Sequence, residues 1–250
     1  MQRYKVTIAY DGTKFAGFQR QPDQRTVESV LTTAVNKMAK TLDGTIKVYG
    51  SGRTDAGVHA MGQVVHFDLP FNIPAEGVRR GLNSMFPLDL VAIEVETVDA
   101  EFHSRFTNVG KQYRYKISRK DFIDPFKRFY TYNFKFNLDL ALIKAAMPDL
   151  IGMHDFSSFV ASGNQSKDFV REIFDVQLEE HPELDEIHFI FRGKGFLYNQ
   201  VRIMTAVLLE IGSGRRPVHD ILRLYEVKDR LQAPLTAPAH GLYLEKVFYE

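Results

Sequence analysis

Residues 50–67, GSGRTDAGVHAMGQVVHF, join a glycine-rich loop directly to a strand-like run, and this order limits the possible folds. Three glycines fall within the first eight residues, and GQVVHF follows with the pattern of a strand. Phosphate-binding loops of the P-loop and dinucleotide-binding kinds need a helix N-terminus immediately after their glycines. The stretch therefore predicts a loop between two strands and argues against a phosphate-binding fold.

Two other kinds of site can be drawn on the same stretch. A metal centre would use Asp55, His59 and His66, but their spacing does not bring them to one face of a regular element. A triad of Ser51, His59 and Asp55 lacks the strand-turn-helix context that exposes a serine nucleophile. We therefore expect the histidines to be structural and expect no metal ion.

The remaining features of the loop are Arg53, Thr54 and Asp55, which lie between Gly52 and Gly57. One interpretation is an ordinary glycine-rich connection between strands. The other is a loop that presents a carboxylate, because loops on rigid strands often carry catalytic groups. A buried aspartate beside an arginine stays ionised and can act as nucleophile or base without a metal or cofactor.

Strand and helix patterns around the loop predict the order β-α-β-β-α-β for the first half of the chain. The predicted strands are 3–10, 45–50, 63–69 and 89–98, with a turn at 43–44, and the predicted helices are 26–40, capped by Thr26, and 74–85.

The second half repeats this order more loosely. Its predicted strands are 111–118, 171–180, 186–193 and 242–249, and its predicted helices are 139–150, 196–212 and 220–227. We therefore predict an α+β protein of two tandem ferredoxin-like (βαββαβ) halves with mainly antiparallel sheets. The predicted domains are 1–108, which carries the Asp55 loop, and 109–250.

Composition narrows the functional classes. The chain has 250 residues, 44% of them hydrophobic and 25% charged, which is ordinary for a globular protein. It has no cysteine, which excludes disulfides, thiolate zinc sites and cysteine nucleophiles. No apolar run approaches the ~20 residues that span a bilayer, so we expect a cytoplasmic protein without a membrane partner.

Charge is distributed unevenly although the formal net charge is only +1. Basic residues cluster at 79–80, 111–120, 127–128 and 215–216, whereas acidic residues gather at 178–186. One basic face would bind a polyanion while the whole chain stays near neutral. For any one of these clusters taken singly, a solvated strand or loop face is the better interpretation.

Six segments in order resemble the TruA-type tRNA pseudouridine synthases, nearly from end to end. They are YDGTKFAGFQRQ (10–21) with RTVE (25–28), GRTDAGVHAMGQVVHF (52–67), FHSRF (102–106) with KQYRYKI (111–117), GMHDFSSF (152–159), GKGFLYNQVR (193–202) and APAHGLYLEKVFY (237–249). Departures include Phe18 where the family often has tryptophan, and the chain has no tryptophan at all.

The resemblance implies roles for four residues. Asp55 matches the family's nucleophile, and attack at ribose C1′, attack at uracil C6 and proton abstraction to a glycal all remain open. Arg53 would lie where the target base is extruded, since the glycosidic bond of a stacked base is out of reach. Tyr113 would stack on the target uracil, and Arg202 would pair with the catalytic carboxylate.

The resemblance also implies partners. The substrate would be uridines 38–40 in the anticodon stem-loop of tRNA, the enzyme would be a cofactor-independent homodimer, and Asp55 would lie in a central basic cleft. Arg79, Arg80, Arg215 and Arg216 are candidates for phosphate contacts. The alternatives are a related synthase with another RNA or position as target, or a non-catalytic RNA-binding protein of the same fold.

Overall fold

The computed structural model describes residues 1–42, 44–163 and 167–250. The predicted turn at 43–44 therefore lies partly outside the described residues. Contacts divide the chain into two compact units. Unit 1 is Met1–Val109 with Tyr243–Glu250, and unit 2 is Gly110–Leu242.

The described residues form ten strands and five α-helices. The strands are β1 (Gln2–Tyr10), β2 (Tyr49–Gly50), β3 (His59–Leu69), β4 (Leu90–Val98), β5 (Asn108–Ser118), β6 (Tyr132–Asn133), β7 (Gly152–Asp155), β8 (Val170–His181), β9 (Glu186–Gly193) and β10 (Leu242–Tyr249). The helices are α1 (Val27–Met38), α2 (Ala75–Met85), α3 (Leu140–Ala146), α4 (Gln200–Gly212) and α5 (Asp220–Val227).

Unit 1 is built on an antiparallel sheet in the order β4-β1-β3, with β2 antiparallel to β3 on its other side. On β1 every second side chain is buried, from Tyr4 through Val6 and Ile8 to Tyr10. This period of two gives the sheet one face that packs on the core, as the alternation in the sequence predicts. Leu31 of α1 and Leu82 of α2 are fully buried in the same unit.

Strand β10 belongs to a different unit from the one that the sequence predicts. The sequence groups residues 109–250, whereas Tyr243–Glu250 belongs to unit 1. The physical reason is a parallel pairing in which Tyr243 lies opposite His59 and Leu244 opposite Ala60 of β3. The boundary near residue 108 stays a prediction.

Unit 2 contains an antiparallel sheet in the order β5-β9-β8-β7, with β6 parallel to β5. Helix α4 is buried on nearly all sides. Its last residue, Gly212, lies so close to α3 that a β-carbon there would be 2.5 Å from Ile143. This glycine therefore allows the two helices to pack closely.

Several element boundaries depart from the sequence prediction, including β3, which begins at His59 rather than at residue 63, and α3, which ends at Ala146 rather than at residue 150. Two further departures have a physical reason in particular side chains or backbone angles. The strand predicted at 45–50 is wrong for residues 45–48, because the Asn36 side chain of α1 bonds both the N–H and the carbonyl of Ile46, at 2.7 and 2.9 Å. The helix predicted from residue 196 begins at Gln200, since Asn199 has a left-handed φ of 60° and Leu197 N–H donates to Gln200 Oε1.

The α+β class with mainly antiparallel sheets is confirmed. The tandem ferredoxin-like arrangement stays a prediction. Across residues 1–42, 44–163 and 167–250, none of the helices has the length and apolar character needed to cross a membrane.

Candidate active site

Asp55 lies in the loop between β2 and β3, which we call the Asp55 loop (residues 51–58). The loop begins where Ser51 N–H donates to Val64 O over 2.8 Å. It closes in a turn in which Val58 N–H donates to Asp55 O over 3.1 Å. Gly57 takes a left-handed φ of 77° within this turn, which is why glycine is suited to that position. Asp55 itself is half-buried.

A second segment, residues 11–18, lies against the Asp55 loop. Phe18 N–H donates to Thr54 O over 3.0 Å, and Gly57 N–H donates to Phe15 O over 3.3 Å. The backbones approach so closely that a β-carbon at Gly12 would overlap the carbonyl oxygen of Val58. The glycines of YDGTKFAGF therefore permit packing of this segment on the Asp55 loop.

Buried polar side chains hold the loop from the β-sheet side. Tyr10 OH and Thr54 Oγ1 share a hydrogen bond of 2.8 Å. Gln63 of β3 accepts from Ser51 Oγ at 2.5 Å and donates from Nε2 to Gly52 O at 3.0 Å. We did not single out Tyr10 or Gln63 from the sequence. The available signal was a glutamine placed between Met61-Gly62 and Val64-Val65 in a strand-like run.

The two histidines of the motif lie in β3 and have structural partners. His59 accepts the Gly12 N–H at Nδ1 over 3.0 Å and stacks on Tyr243 with 4.7 Å between ring centroids. His66 accepts the Ser104 N–H at Nδ1 over 3.2 Å. Burial, with smaller effects of nearby charges, lowers the pKa of His66 to about 4, so its imidazole is neutral near pH 7.

The predicted site residues fall into both units. Arg53 and Asp55 belong to one loop of unit 1, where Arg53 is exposed. Tyr113 on β5 of unit 2 is 7% exposed and contacts Phe196 edge to face, with ring centroids 5.1 Å apart. Arg202 on α4 of unit 2 is half-buried and donates from Nε to Ala237 O at 2.6 Å.

Arg202 is held in a defined orientation by a second contact, because its Nη1 donates to Asn199 Oδ1 at 2.6 Å. Two anchors at 2.6 Å restrict the rotamers of a long side chain. The helix pattern placed this residue between core and surface, and its half-burial agrees with that expectation.

The four arginines predicted to contact phosphates differ in their surroundings. Arg79 and Arg80 both pair with Glu76 on α2, at 2.7 and 2.8 Å. Arg216 pairs with two carboxylates, Glu210 at 2.5 Å and Asp220 at 2.6 Å, and is mostly buried. Arg215 instead lies over aromatic rings, with its guanidinium carbon 4.8 Å from the Phe136 ring centroid.

A cluster that the sequence did not indicate joins Glu179, His181 and His188 in unit 2. One carboxylate oxygen and one nitrogen from each imidazole lie within 4.8 Å of one another, a spacing that would suit a metal ion. Arg114 Nη1, however, lies 2.5 Å from Glu179 Oε2 and 3.3 Å from His188 Nδ1. A guanidinium thus supplies the positive charge there, and we assign no metal to it.

Comparison with known proteins gives a consistent set of matches. A family model described as tRNA pseudouridine synthase matches residues 6–107 and 146–250, which include Asp55 and Arg202 but not Tyr113. The chain is 62% identical over 249 residues to tRNA pseudouridine synthase A of Ligilactobacillus salivarius, covering 100% of this chain and 97% of that protein. It is 60% identical over 250 residues to tRNA pseudouridine synthase A of Levilactobacillus brevis, covering 100% and 94%.

Solved structures are more distant. A chain from a Cbf5-Nop10-Gar1 complex matches with a TM-score of 0.36 and 10% identity, over 82% of this chain and 54% of that chain. This score is below the level at which a common fold follows.

Proposed function

The chain belongs to the tRNA pseudouridine synthase family, and from that membership we propose that it converts uridine to pseudouridine at positions 38–40 of the anticodon stem-loop. Members of this family are isomerases of uridine in tRNA. The observation that carries the proposal is that the family match includes the whole Asp55 loop, held on both sides by hydrogen bonds.

The reaction is an isomerisation and therefore needs no co-substrate. The bond between ribose C1′ and uracil N1 breaks, the base rotates, and C1′ bonds to C5. The proton at C5 is lost and N1 gains a proton, so substrate and product contain the same atoms. An aspartate can carry these steps by attack at C1′, by attack at C6, or by removing a ribose proton to give a glycal.

Asp55 is the residue that we propose for this role. It follows Thr54, whose carbonyl and hydroxyl are both hydrogen-bonded, so the backbone that carries the carboxylate is fixed. A fixed nucleophile reduces the entropy lost on reaching the reactive geometry. Arg53 is exposed in the same loop, which suits contact with an RNA strand whose target base has left the stack.

Tyr113 and Arg202 complete the proposed set. Tyr113 would stack on the target uracil, and its edge-to-face contact with Phe196 supports a fixed ring plane. Arg202 would pair with the catalytic carboxylate, and its anchors at Ala237 and Asn199 support a preset guanidinium. Such a cation would favour the ionised form of the aspartate.

The proposal also covers the partner, the oligomeric state, the location and the fold. We expect tRNA as partner, a homodimer as the working form, the cytoplasm as location, and two ferredoxin-like halves. The strand order β4-β1-β3-β2 in unit 1 supports the first of these halves. The basic cleft stays an expectation.

The experiment compares wild type with Asp55→Asn and Asp55→Ala on unmodified tRNA transcripts, with pseudouridine mapped at single-nucleotide resolution. We expect wild type to modify positions 38–40, and both variants to bind tRNA but form no pseudouridine. Asp99→Asn is the matched control, because Asp99 is an exposed carboxylate of the same unit. It should retain full activity.

Each alternative has its own outcome. Modification only outside the anticodon arm would replace the substrate assignment with that of a related synthase. Binding of tRNA without any pseudouridine in wild type would identify a non-catalytic RNA-binding protein. Full activity of Asp55→Ala would refute the assignment of Asp55.

A further inference from the structure

We infer that Tyr10 and Gln63 are positioning residues that set the Asp55 carboxylate at the place where it reacts. This inference rests on the proposed function, because it assigns a purpose to groups around the proposed nucleophile. Neither side chain reaches the substrate in this account. Both act through residues 51–54 of the Asp55 loop.

Gln63 fixes the start of the loop. Its amide is fully buried, and both ends are used, since Oε1 accepts from Ser51 Oγ at 2.5 Å and Nε2 donates to Gly52 O at 3.0 Å. The Val64 N–H also donates to Oε1 over 3.1 Å, which fixes the orientation of the amide. A buried amide with each end engaged has one low-energy arrangement, so Ser51 and Gly52 are held in one place.

Tyr10 fixes the residue directly before the nucleophile. Its hydroxyl lies 2.8 Å from Thr54 Oγ1, and both side chains are buried. Burial raises the pKa of Tyr10 far above its ordinary value, so the phenol stays protonated throughout the working pH range. The phenol therefore keeps the hydrogen that can be donated to Thr54 Oγ1.

These contacts converge on the residue directly before Asp55. Thr54 is held at two points, its hydroxyl by Tyr10 and its carbonyl by the Phe18 N–H at 3.0 Å. The peptide that joins Thr54 to Asp55 is therefore fixed in space. A displacement of about 1 Å in a catalytic group costs roughly 100-fold in rate, so the groups that prevent displacement contribute to catalysis.

The test uses two tyrosines of the same strand. Tyr10→Phe removes only the hydroxyl that contacts Thr54. Tyr4→Phe is the matched control, because Tyr4 is fully buried in β1 and its hydroxyl bonds Ile73, at 2.7 and 2.8 Å, outside the Asp55 loop. Single-turnover rate, tRNA dissociation constant and urea midpoint are measured for both variants and for wild type.

We expect Tyr10→Phe to lower the single-turnover rate roughly 10- to 100-fold, with the tRNA dissociation constant within about twofold of wild type. Tyr4→Phe should lose at least as much stability and retain the wild-type rate. Thr54→Val should reproduce the defect of Tyr10→Phe, and Thr54→Ser should restore most of the rate because it keeps Oγ. The double variant Tyr10→Phe/Thr54→Val should be no slower than either single variant.

Gln63→Met supplies an independent measurement. It removes both the acceptor for Ser51 Oγ and the donor to Gly52 O from a side chain of similar length, so it should also reduce the rate without weakening tRNA binding. Equal rates for Tyr10→Phe and Tyr4→Phe would overturn the positioning role while leaving the proposed function intact. A wild-type protein that forms no pseudouridine would instead refute the proposed function, and the two failures are therefore distinguishable.

Discussion

Phe18 donates its backbone N–H to the carbonyl oxygen of Thr54 over 3.0 Å, which ties residues 11–18 to the residue directly before Asp55. Gly17, one residue earlier, has a φ of 95°, and a β-carbon there would lie 2.8 Å from the same carbonyl oxygen. Gly17 therefore lets the backbone come close enough for Phe18 N–H to bond the Thr54 carbonyl oxygen. Within the motif at residues 10–21, Phe15 and Phe18 hold the Asp55 loop in place through backbone hydrogen bonds.

Gly17→Ala should lower the free energy of unfolding by about 2 kcal/mol, because alanine is disfavoured at this φ and its methyl group meets the Thr54 carbonyl. It should also reduce the rate of pseudouridine formation, since the Asp55 loop must shift. Urea denaturation and single-turnover kinetics measure the two effects.

Two glycines provide controls for this substitution. Gly214 has a φ of 72° with open space around a β-carbon, so Gly214→Ala reports the cost of the backbone conformation alone. Gly195 also has open space, and Gly195→Ala should be nearly neutral. A Gly17→Ala variant no less stable and no slower than Gly214→Ala would contradict the close packing described here.

Arg216→Ala should destabilise the protein by about 2 kcal/mol, because Arg216 is mostly buried and pairs with Glu210 and Asp220. Asp220 is 5% exposed, and Arg223 at 2.6 Å remains as its partner, which limits the loss. The urea midpoint measures the change. Arg216→Lys should recover only part of it, because an ammonium group cannot reach both carboxylates with the geometry of the guanidinium fork.

Arg215→Ala should change RNA binding and not stability. Its guanidinium lies over Phe136 and donates from Nε to Ser213 Oγ at 2.9 Å, and the residue is exposed, so a phosphate can reach it. Losing one phosphate contact should lower the slope of log binding constant against log salt by about 1. A salt titration of tRNA binding measures this, with Arg80→Ala as the comparison, since Arg80 is already paired with Glu76. Identical slopes for wild type and Arg215→Ala would remove Arg215 from the RNA-binding surface.

His66 should make stability depend on pH. Its pKa is lowered from 6.5 to about 4 by burial, together with His103 and Arg3. The unfolded chain therefore binds more protons than the folded chain between these values, and stability is complete above about pH 6.5 and falls as the pH drops toward 4. Protonation of His66 at Nδ1 would also replace the acceptor of the Ser104 N–H with a second donor, and that hydrogen bond would be lost.

His66→Gln is the variant that measures this contribution, because glutamine can accept the Ser104 N–H without titrating. Urea midpoints across the acidic range should fall less steeply for the variant than for wild type. Parallel curves would show that the acid sensitivity arises from other groups.

Regular periodicity explains which parts of the fold were predictable. Alternation along β1 and the apolar stripe of α1 reflect burial of one face, so both elements follow from the sequence, as does the cap at Thr26, whose Oγ1 accepts the Ser29 N–H at 3.3 Å. Residues 45–48 have the composition of a strand, yet the Asn36 side chain of α1 bonds both the N–H and the carbonyl of Ile46. A side chain that replaces a neighbouring strand as the hydrogen-bond partner leaves no periodic pattern in the sequence.

The site was predictable only in part for the same reason. Glycines around Asp55 indicated a specialised loop, and the family resemblance supplied candidate roles for four residues. Tyr10 and Gln63 look like ordinary strand positions, because their partners are 44 and 12 residues away and are found only in three dimensions. The sequence also did not reveal the ion pairs of Arg79, Arg80 and Arg216. Three of the four arginines expected to contact phosphates thus have carboxylate partners.

The place of residues 243–250 has a consequence for synthesis on the ribosome. Tyr243 pairs with His59 at the start of β3, directly after the Asp55 loop, and stacks on its ring. Every residue of unit 2 is translated between these two partners. The nascent chain therefore leaves β3 without this neighbour until residues 243–250 have emerged, and β3 gains this partner only after the whole of unit 2 has been synthesised.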